Sequence, residues 1–286
     1  QTSLVGSEMC IRDRYCDPYY ATYPGTIRGV GGVERSVICK PELDFQPTHK
    51  DLNAAATGAR SLLVNSPNNP TGVVYDKPTW EAIAKTCQDH DLWLISDEVY
   101  DTQVWQGKHI SPRSLKDMIK RTLVIGSMSK SHAMTGSRIG WICGPESVVE
   151  HLINLATHTT YGVPGYIQDA ADFALNQGIA AELEVAAPFR RRRKIAMDLI
   201  DGQNVVHAVP CSGAMYMMLD IRTTGLSGEA FAHGLLNAKQ IAVMPGESFG
   251  RAAAGHIRVA MTVDDAQFTD ALEVLLNFAA ANSSIK

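Results

Sequence analysis

The chain has 286 residues, 45% of them hydrophobic, with 26 Lys and Arg against 30 Asp and Glu and a formal net charge of −4. A chain of this size buries a sizeable core in one large or two modest domains, and its mild negative charge argues against nucleic acid or an anionic membrane surface as a partner. No run approaches the roughly 18 uninterrupted apolar residues of a spanning helix, and six cysteines without a C-x-x-C pair suit a reducing, cytoplasmic setting better than a disulfide framework.

In chain order, residues 4–14, LVGSEMCIRDR, look like the in-frame translation of a sequencing-library adapter. They also lack the apolar stretch and small-residue cleavage site of a signal peptide. The native chain is therefore expected to enter near Tyr15, leaving 1–14 as a leader. From there, short apolar runs alternate with segments of helical period, the pattern of βα units. Residues 33–38, 61–65, 92–96, 122–126 and 139–143 read as strands, rich in Val, Ile and Leu and bounded by Gly, Pro, Asn or Asp. Runs that are apolar on both faces suit strands covered by helices on both sides. Residues 77–90 place Trp80, Ile83, Ala84 and Cys87 at helical spacing, with Asp76 or Pro78 as the start, and predict a crossover helix.

Past Pro145, helices are expected over 146–156, 166–176 and 180–200. The last contains Arg190 to Lys194, a basic run that reads as a solvated face with its aliphatic stems packed down. Strands at 205–209, 214–220 and 256–261, with helices at 228–239 and 266–279, complete a smaller α+β unit. The predicted fold is α/β: a mostly parallel sheet with helices on both faces in a large domain, 15–195, followed by a C-terminal domain, 196–286.

In open α/β sheets ligands bind at the carboxyl ends of the strands. Here those ends are polar: Asn65-Ser66-Pro67-Asn68-Asn69-Pro70-Thr71-Gly72, then Asp97 and Tyr100, then Ser127, Ser129 and Lys130, with Arg138 eight residues further on. Taken singly, each has a plainer reading: a surface lysine, a helix-capping aspartate, a packed tyrosine, a turn asparagine. Taken together they match pyridoxal 5'-phosphate. Its aldehyde needs an amine, its ring nitrogen a carboxylate, its ring oxygen hydrogen-bond donors, and its phosphate hydroxyls and a guanidinium.

The segments NSPNNPTG, SDEVY, SMSKSHAMTGSRIGW and GHIRVA, in this order and spacing, resemble the motif series of class I/II aminotransferases, pyridoxal-phosphate enzymes of fold type I. The resemblance runs from about Tyr15 to the end of the chain. It implies that Lys130 is the Schiff-base lysine and proton carrier, that Asp97 pairs with the ring nitrogen, and that Asn69 and Tyr100 donate to the ring oxygen. It further implies that Ser127 and Arg138 hold the phosphate, that Tyr20 stacks on the ring, and that Arg258 clamps the substrate α-carboxylate. Tyr161 lies where the family sends a loop toward a partner subunit, and a homodimer is implied. Within the family, SKSHAMTGSRIGW, TWEAIAKTCQDHDLWLISDEVY and YGVPGYIQDAA are most similar to transaminases acting between L-arginine and pyruvate.

Family members carry about a hundred further residues before the point matching Tyr15, among them a helix start whose N–H groups cradle the phosphate. The resemblance thus implies a weaker cofactor grip and poorer dimerisation for this chain than for intact relatives. Two other readings share the same grip: a carbon–sulfur β-lyase and a non-catalytic domain that senses the cofactor. No metal site is expected, since His151 and His158 lie seven residues apart, and no G-x-S-x-G elbow marks a serine hydrolase.

Overall fold

The computed structural model describes residues 12–283. The first sheet holds β1 (Arg12–Asp17), β2 (Val33–Ile38), β3 (Ser61–Asn65), β4 (Trp93–Asp97), β5 (Thr122–Ser127) and β6 (Gly140–Cys143), in the order β2-β1-β3-β4-β5-β6. All neighbours are parallel except β5 and β6. The sequence reading did not include β1, and its Tyr15 boundary falls inside that strand. Arg12, Asp13 and Arg14 pair with both neighbours or with β2 alone, and the buried Arg14 guanidinium donates to the carbonyls of Ala55 and Thr57. The remainder of the proposed leader, 1–11, lies outside the described residues.

α1 (Tyr23–Gly29), α2 (His49–Ala56) and α3 (Lys77–Asp89) make the crossovers. α3 shows why the sequence folds this way. Asp76 accepts the Thr79 N–H at 2.8 Å and Pro78 sits in the first turn, so the helix starts where the chain has both a cap and a residue that lacks an N–H. Its apolar positions then fall on one face, and Trp80, Ile83 and Cys87 are buried against Leu62, Val64 and Leu94 of the sheet.

After the short α4 (Met128–Ser131) come α5 (Glu146–Thr159), α6 (Gly165–Asn176) and α7 (Ile179–Asp201), which continues through Pro188. The second sheet is antiparallel, with β7 (His207–Ala208), β8 (Tyr216–Asp220), β9 (Met244–Pro245) and β10 (His256–Ala260) in the order β7-β8-β10-β9, packed by α8 (Gly228–Lys239) and α9 (Asp265–Asn282). Its strands are shorter than expected, for local reasons. The Gln203 side chain takes the N–H groups of Val205 and Val206 that a ladder would have used, and Ala214 stands at φ +59, outside the strand region.

β8 alternates between two cores. Met217 and Leu219 face Phe231, Leu235, Phe268 and Leu272, whereas Met218 packs with Val209 and Phe249 into the core of the first sheet. The two units therefore meet through a strand as well as through α7, and the expected boundary at 195/196 falls within that helix. The basic run on α7 is also more engaged than a solvated face. Arg191 and Arg192 both bond Asp265, Arg193 donates to the Cys211 carbonyl, and Arg190 lies over the Trp105 ring. Among the described residues no helix is long and apolar enough to cross a membrane.

Candidate active site

β3, β4 and β5 end level with one another. Asn65 is in register with Asp97, and Asp97 with Ile125, two residues before Ser127. Parallel pairing thus sets three polar strand ends on one edge, where a cavity of about 320 Å³ opens. Tyr20, Asn69, Asp97, Tyr100, Ser127, Lys130 and Arg138 all line it, together with Asn65, Val99, Ser129, Thr135 and Tyr216. Arg258 reaches the same place from β10, its Nη1 donating to Asn69 Oδ1 at 2.8 Å. Tyr161 does not join them; it is 89% exposed between α5 and α6.

Asp97 is the electrostatic centre. Its Oδ2 accepts from Tyr23 Oη at 2.5 Å and its Oδ1 from the Val99 N–H at 3.3 Å. Burial raises the Asp97 pKa above the ordinary carboxylate value, against the opposing pull of these two donors. Burial, followed by the Asp97 charge, holds the Tyr23 phenol well above its usual range, so it stays a proton donor. Asn65 braces the same strand end: its Nδ2 donates to the Asp97 carbonyl at 2.9 Å and its Oδ1 accepts the Asn69 N–H at 2.8 Å.

Lys130 lies in α4, started by Ser127, whose Oγ accepts the Ser129 N–H at 3.1 Å and donates to the Ile139 carbonyl at 3.3 Å. The lysine is half-buried rather than enclosed. Arg138, exposed at the mouth, adopts φ +53, and its Nη1 donates to the Thr135 carbonyl at 2.8 Å. Tyr20 is also partly open, at 41% exposed, with its ring edge-on to Tyr23 at 5.6 Å.

Arg258 is held differently. Its guanidinium lies 4.2 Å from the Tyr216 ring centroid and 4.5 Å from that of Phe249, and its Nε is buried with no hydrogen-bond partner among the described residues. Desolvation lowers its pKa. Tyr216 is in turn edge-on to Tyr100, whose phenol is pushed well up by burial and then by Tyr216. The second sheet comes this close because Gly72 has no side chain: a Cβ there, at φ +76, would stand 2.7 Å from the Tyr216 carbonyl.

Tyr23, Tyr216 and Phe249 are among the site residues not expected from the sequence. A signal for Tyr23 was present, since Pro24 marks a helix start at Tyr23, a short loop beyond the Asp17 end of β1. Tyr216 had no such local mark, because its place depends on how the second sheet docks.

The side chains fit pyridoxal phosphate. Among the described residues, a half-buried carboxylate bonded by neutral donors, a half-buried amine, an exposed arginine at the mouth and a buried guanidinium N–H without an acceptor are complementary to a ring cation, an aldehyde, a phosphate and a carboxylate.

Comparison with known proteins gives the family. Residues 14–275 match Aminotransferase class I and II. The chain is 41% identical over 248 residues to an arginine–pyruvate transaminase of Pseudomonas aeruginosa, covering 86% of this chain and 63% of that protein. It is 35% identical over 260 residues to an aspartate/prephenate aminotransferase of Thermus thermophilus, covering 90% and 66%. Among solved structures, it superposes on the aspartate aminotransferase of Thermus thermophilus with maleate at TM-score 0.87, with 34% identity, over 94% of this chain and 70% of that one. The aromatic aminotransferase of Pyrococcus horikoshii gives 0.91, with 30% identity, over 95% and 74%. The architecture is that of the fold-type I aminotransferases, whose cofactor is pyridoxal phosphate. The chain belongs to the class I and II aminotransferase family, and it spans just under two-thirds of the length of the Pseudomonas and Thermus relatives.

Proposed function

We propose that the chain carries the catalytic centre of a transaminase that moves the α-amino group of an L-amino acid, L-arginine as the first choice, to a 2-oxo acid such as pyruvate in ping-pong order. The observation that carries this reading is the convergence of Asn69, Asp97, Tyr100, Lys130 and Arg138 on one cavity with Arg258 bonded to Asn69. Bound pyridoxal phosphate supplies an aldehyde that captures amines and a cationic ring that withdraws electrons from the substrate α-carbon. Lys130 holds the cofactor covalently and moves the proton at that carbon. Asp97, steadied by Tyr23, keeps a proton on the ring nitrogen. Tyr100 and Asn69 donate to the ring oxygen. Asn69 can do so because its Oδ1 is taken by Arg258, which leaves its nitrogen as the donor end. Ser127 and Arg138 receive the phosphate and Tyr20 covers the ring. Arg258 binds the α-carboxylate and so fixes which bond at the α-carbon faces Lys130.

The arginine assignment is supported by the 41% identity to a transaminase of that name. Among the described lining residues the one carboxylate is Asp97, already engaged by Tyr23, so no lining acid argues for a guanidinium substrate. We further propose a homodimer, as the resemblance implies, in the reducing cytoplasm that the scattered cysteines suit. α5 has no buried residue, and Ile153, Tyr166 and Phe173 stand 61%, 75% and 68% exposed on it and α6, an apolar surface suited to a second copy.

The test is an amino-donor panel with pyruvate as acceptor and full product analysis. The expected result is alanine plus the matching 2-oxo acid, with L-arginine preferred by at least about tenfold in kcat/KM. A preference for aspartate or aromatic donors removes the arginine assignment. Pyruvate and ammonia formed from a thiol amino acid without an acceptor would indicate a lyase instead.

A further inference from the structure

The four-residue α4 ends at Ser131, so the carbonyl of Lys130 falls in a last turn where intrahelical partners run out. Gln103 supplies one. Its Nε2 donates to the Lys130 carbonyl at 3.2 Å, from a residue with 0% exposure. The backbone of Gln103 is fixed from two directions. Its N–H donates to the Tyr100 carbonyl at 2.8 Å, and its own carbonyl accepts the Ala214 N–H at 2.8 Å. Ala214 stands two residues before β8, the strand that begins with Tyr216 and pairs with the Arg258 strand.

The other end of the same amide is unsatisfied: Gln103 Oε1 is buried without a hydrogen bond among the described residues. An unpaired buried amide oxygen is costly, and an apolar side chain of similar volume would fill this position without that cost. The polar group is thus accounted for by what its N–H end does for Lys130.

We propose that Gln103 is a positioning residue for Lys130. It pins the backbone of the amine-bearing residue and ties it to the Tyr100 turn and to the sheet that carries Arg258. The inference rests on the assignment of Lys130 as the cofactor-holding amine, but the contact itself can be tested without cofactor.

Two variants separate this role from packing alone. Gln103→Met keeps the volume and removes the donor. Gln103→Glu keeps the shape but donates only when protonated. Amide hydrogen exchange of residues 128–134 is measured in the cofactor-free protein, and pyridoxal phosphate affinity by absorbance titration, each against the parent at the same pH. In Gln103→Met, exchange of that segment accelerates at least about tenfold and the Kd rises by about the same factor, as expected for loss of a buried hydrogen bond. Gln103→Glu matches that loss at pH 8.5 and returns to within about twofold of the parent at pH 5.5, where a buried carboxyl is protonated. Exchange unchanged in both variants, or a Gln103→Glu response that does not depend on pH, overturns the proposal. Should Gln103→Met fail to fold, the pH comparison in Gln103→Glu decides alone. A parent protein that binds no cofactor counts against the reading of Lys130, whereas the exchange data still judge Gln103.

Discussion

Asp97 and Arg258 are both half-buried charges, Asp97 lining the cavity and Arg258 bonded to Asn69 at its wall, but the two sheets treat them differently. Asp97, at the end of a parallel strand, has a donor on each oxygen: Tyr23 on Oδ2 and the Val99 N–H on Oδ1. Among the described residues, Arg258, on an antiparallel strand, has a hydrogen bond to Asn69, two aromatic faces against its guanidinium, and a buried Nε without a partner. A buried N–H left unpaired costs about 1–3 kcal/mol. Under the proposed function this contrast has a purpose: the carboxylate would hold a cation that stays, and the arginine would keep a donor open for an anion that comes and goes.

The largest effect should come from breaking the arginine side. Arg258→Ala is expected to lower kcat/KM about a hundredfold for both the amino acid and the 2-oxo acid, because each presents a carboxylate, while leaving cofactor affinity within about threefold of the parent. Steady-state kinetics with both substrates and a cofactor titration check it. A loss confined to cofactor binding would erase the distinction between the two sides.

A smaller effect should come from the aspartate side. Tyr23→Phe removes a donor that favours the ionised form of Asp97, and should weaken cofactor binding about tenfold. The sign with pH follows from Asp97, whose pKa is already raised by burial. Cofactor affinity is expected to be full above that pKa, where the carboxylate is ionised, and to be lost as pH falls through it. Without Tyr23 the pKa rises further, so in the variant the loss sets in at a higher pH than in the parent. Titrations over a pH series read the displacement, and a variant whose affinity falls off at the same pH as the parent assigns Tyr23 to packing alone.

Much of this contrast was legible in the sequence. The parallel strands were marked by short Val, Ile and Leu runs and by helices of clear period between them, which puts Asp97, Tyr100 and Lys130 at or just past strand ends. β1 escaped because Arg12, Asp13 and Arg14 belong to the run that looks like a translated sequencing-library adapter; the buried Arg14 instead donates its guanidinium to the Ala55 and Thr57 carbonyls. The arginine side was less legible. The position of Arg258 came from motif resemblance, and Phe249 and Tyr216 could not be found, because stacking on a guanidinium depends on how two sheets dock rather than on any local period. The same limit applies to Gln103, whose bond to the Lys130 carbonyl joins residues 27 positions apart.

The central claim is that Lys130 is the amine that holds pyridoxal phosphate. Borohydride reduction of the cofactor-loaded protein, followed by peptide mapping, tests it most directly, with Lys130→Ala as the control. The expected result is the cofactor mass on the peptide containing Lys130 and no stable label in the variant. Label on a different lysine, or equal labelling of Lys130→Ala, would contradict it.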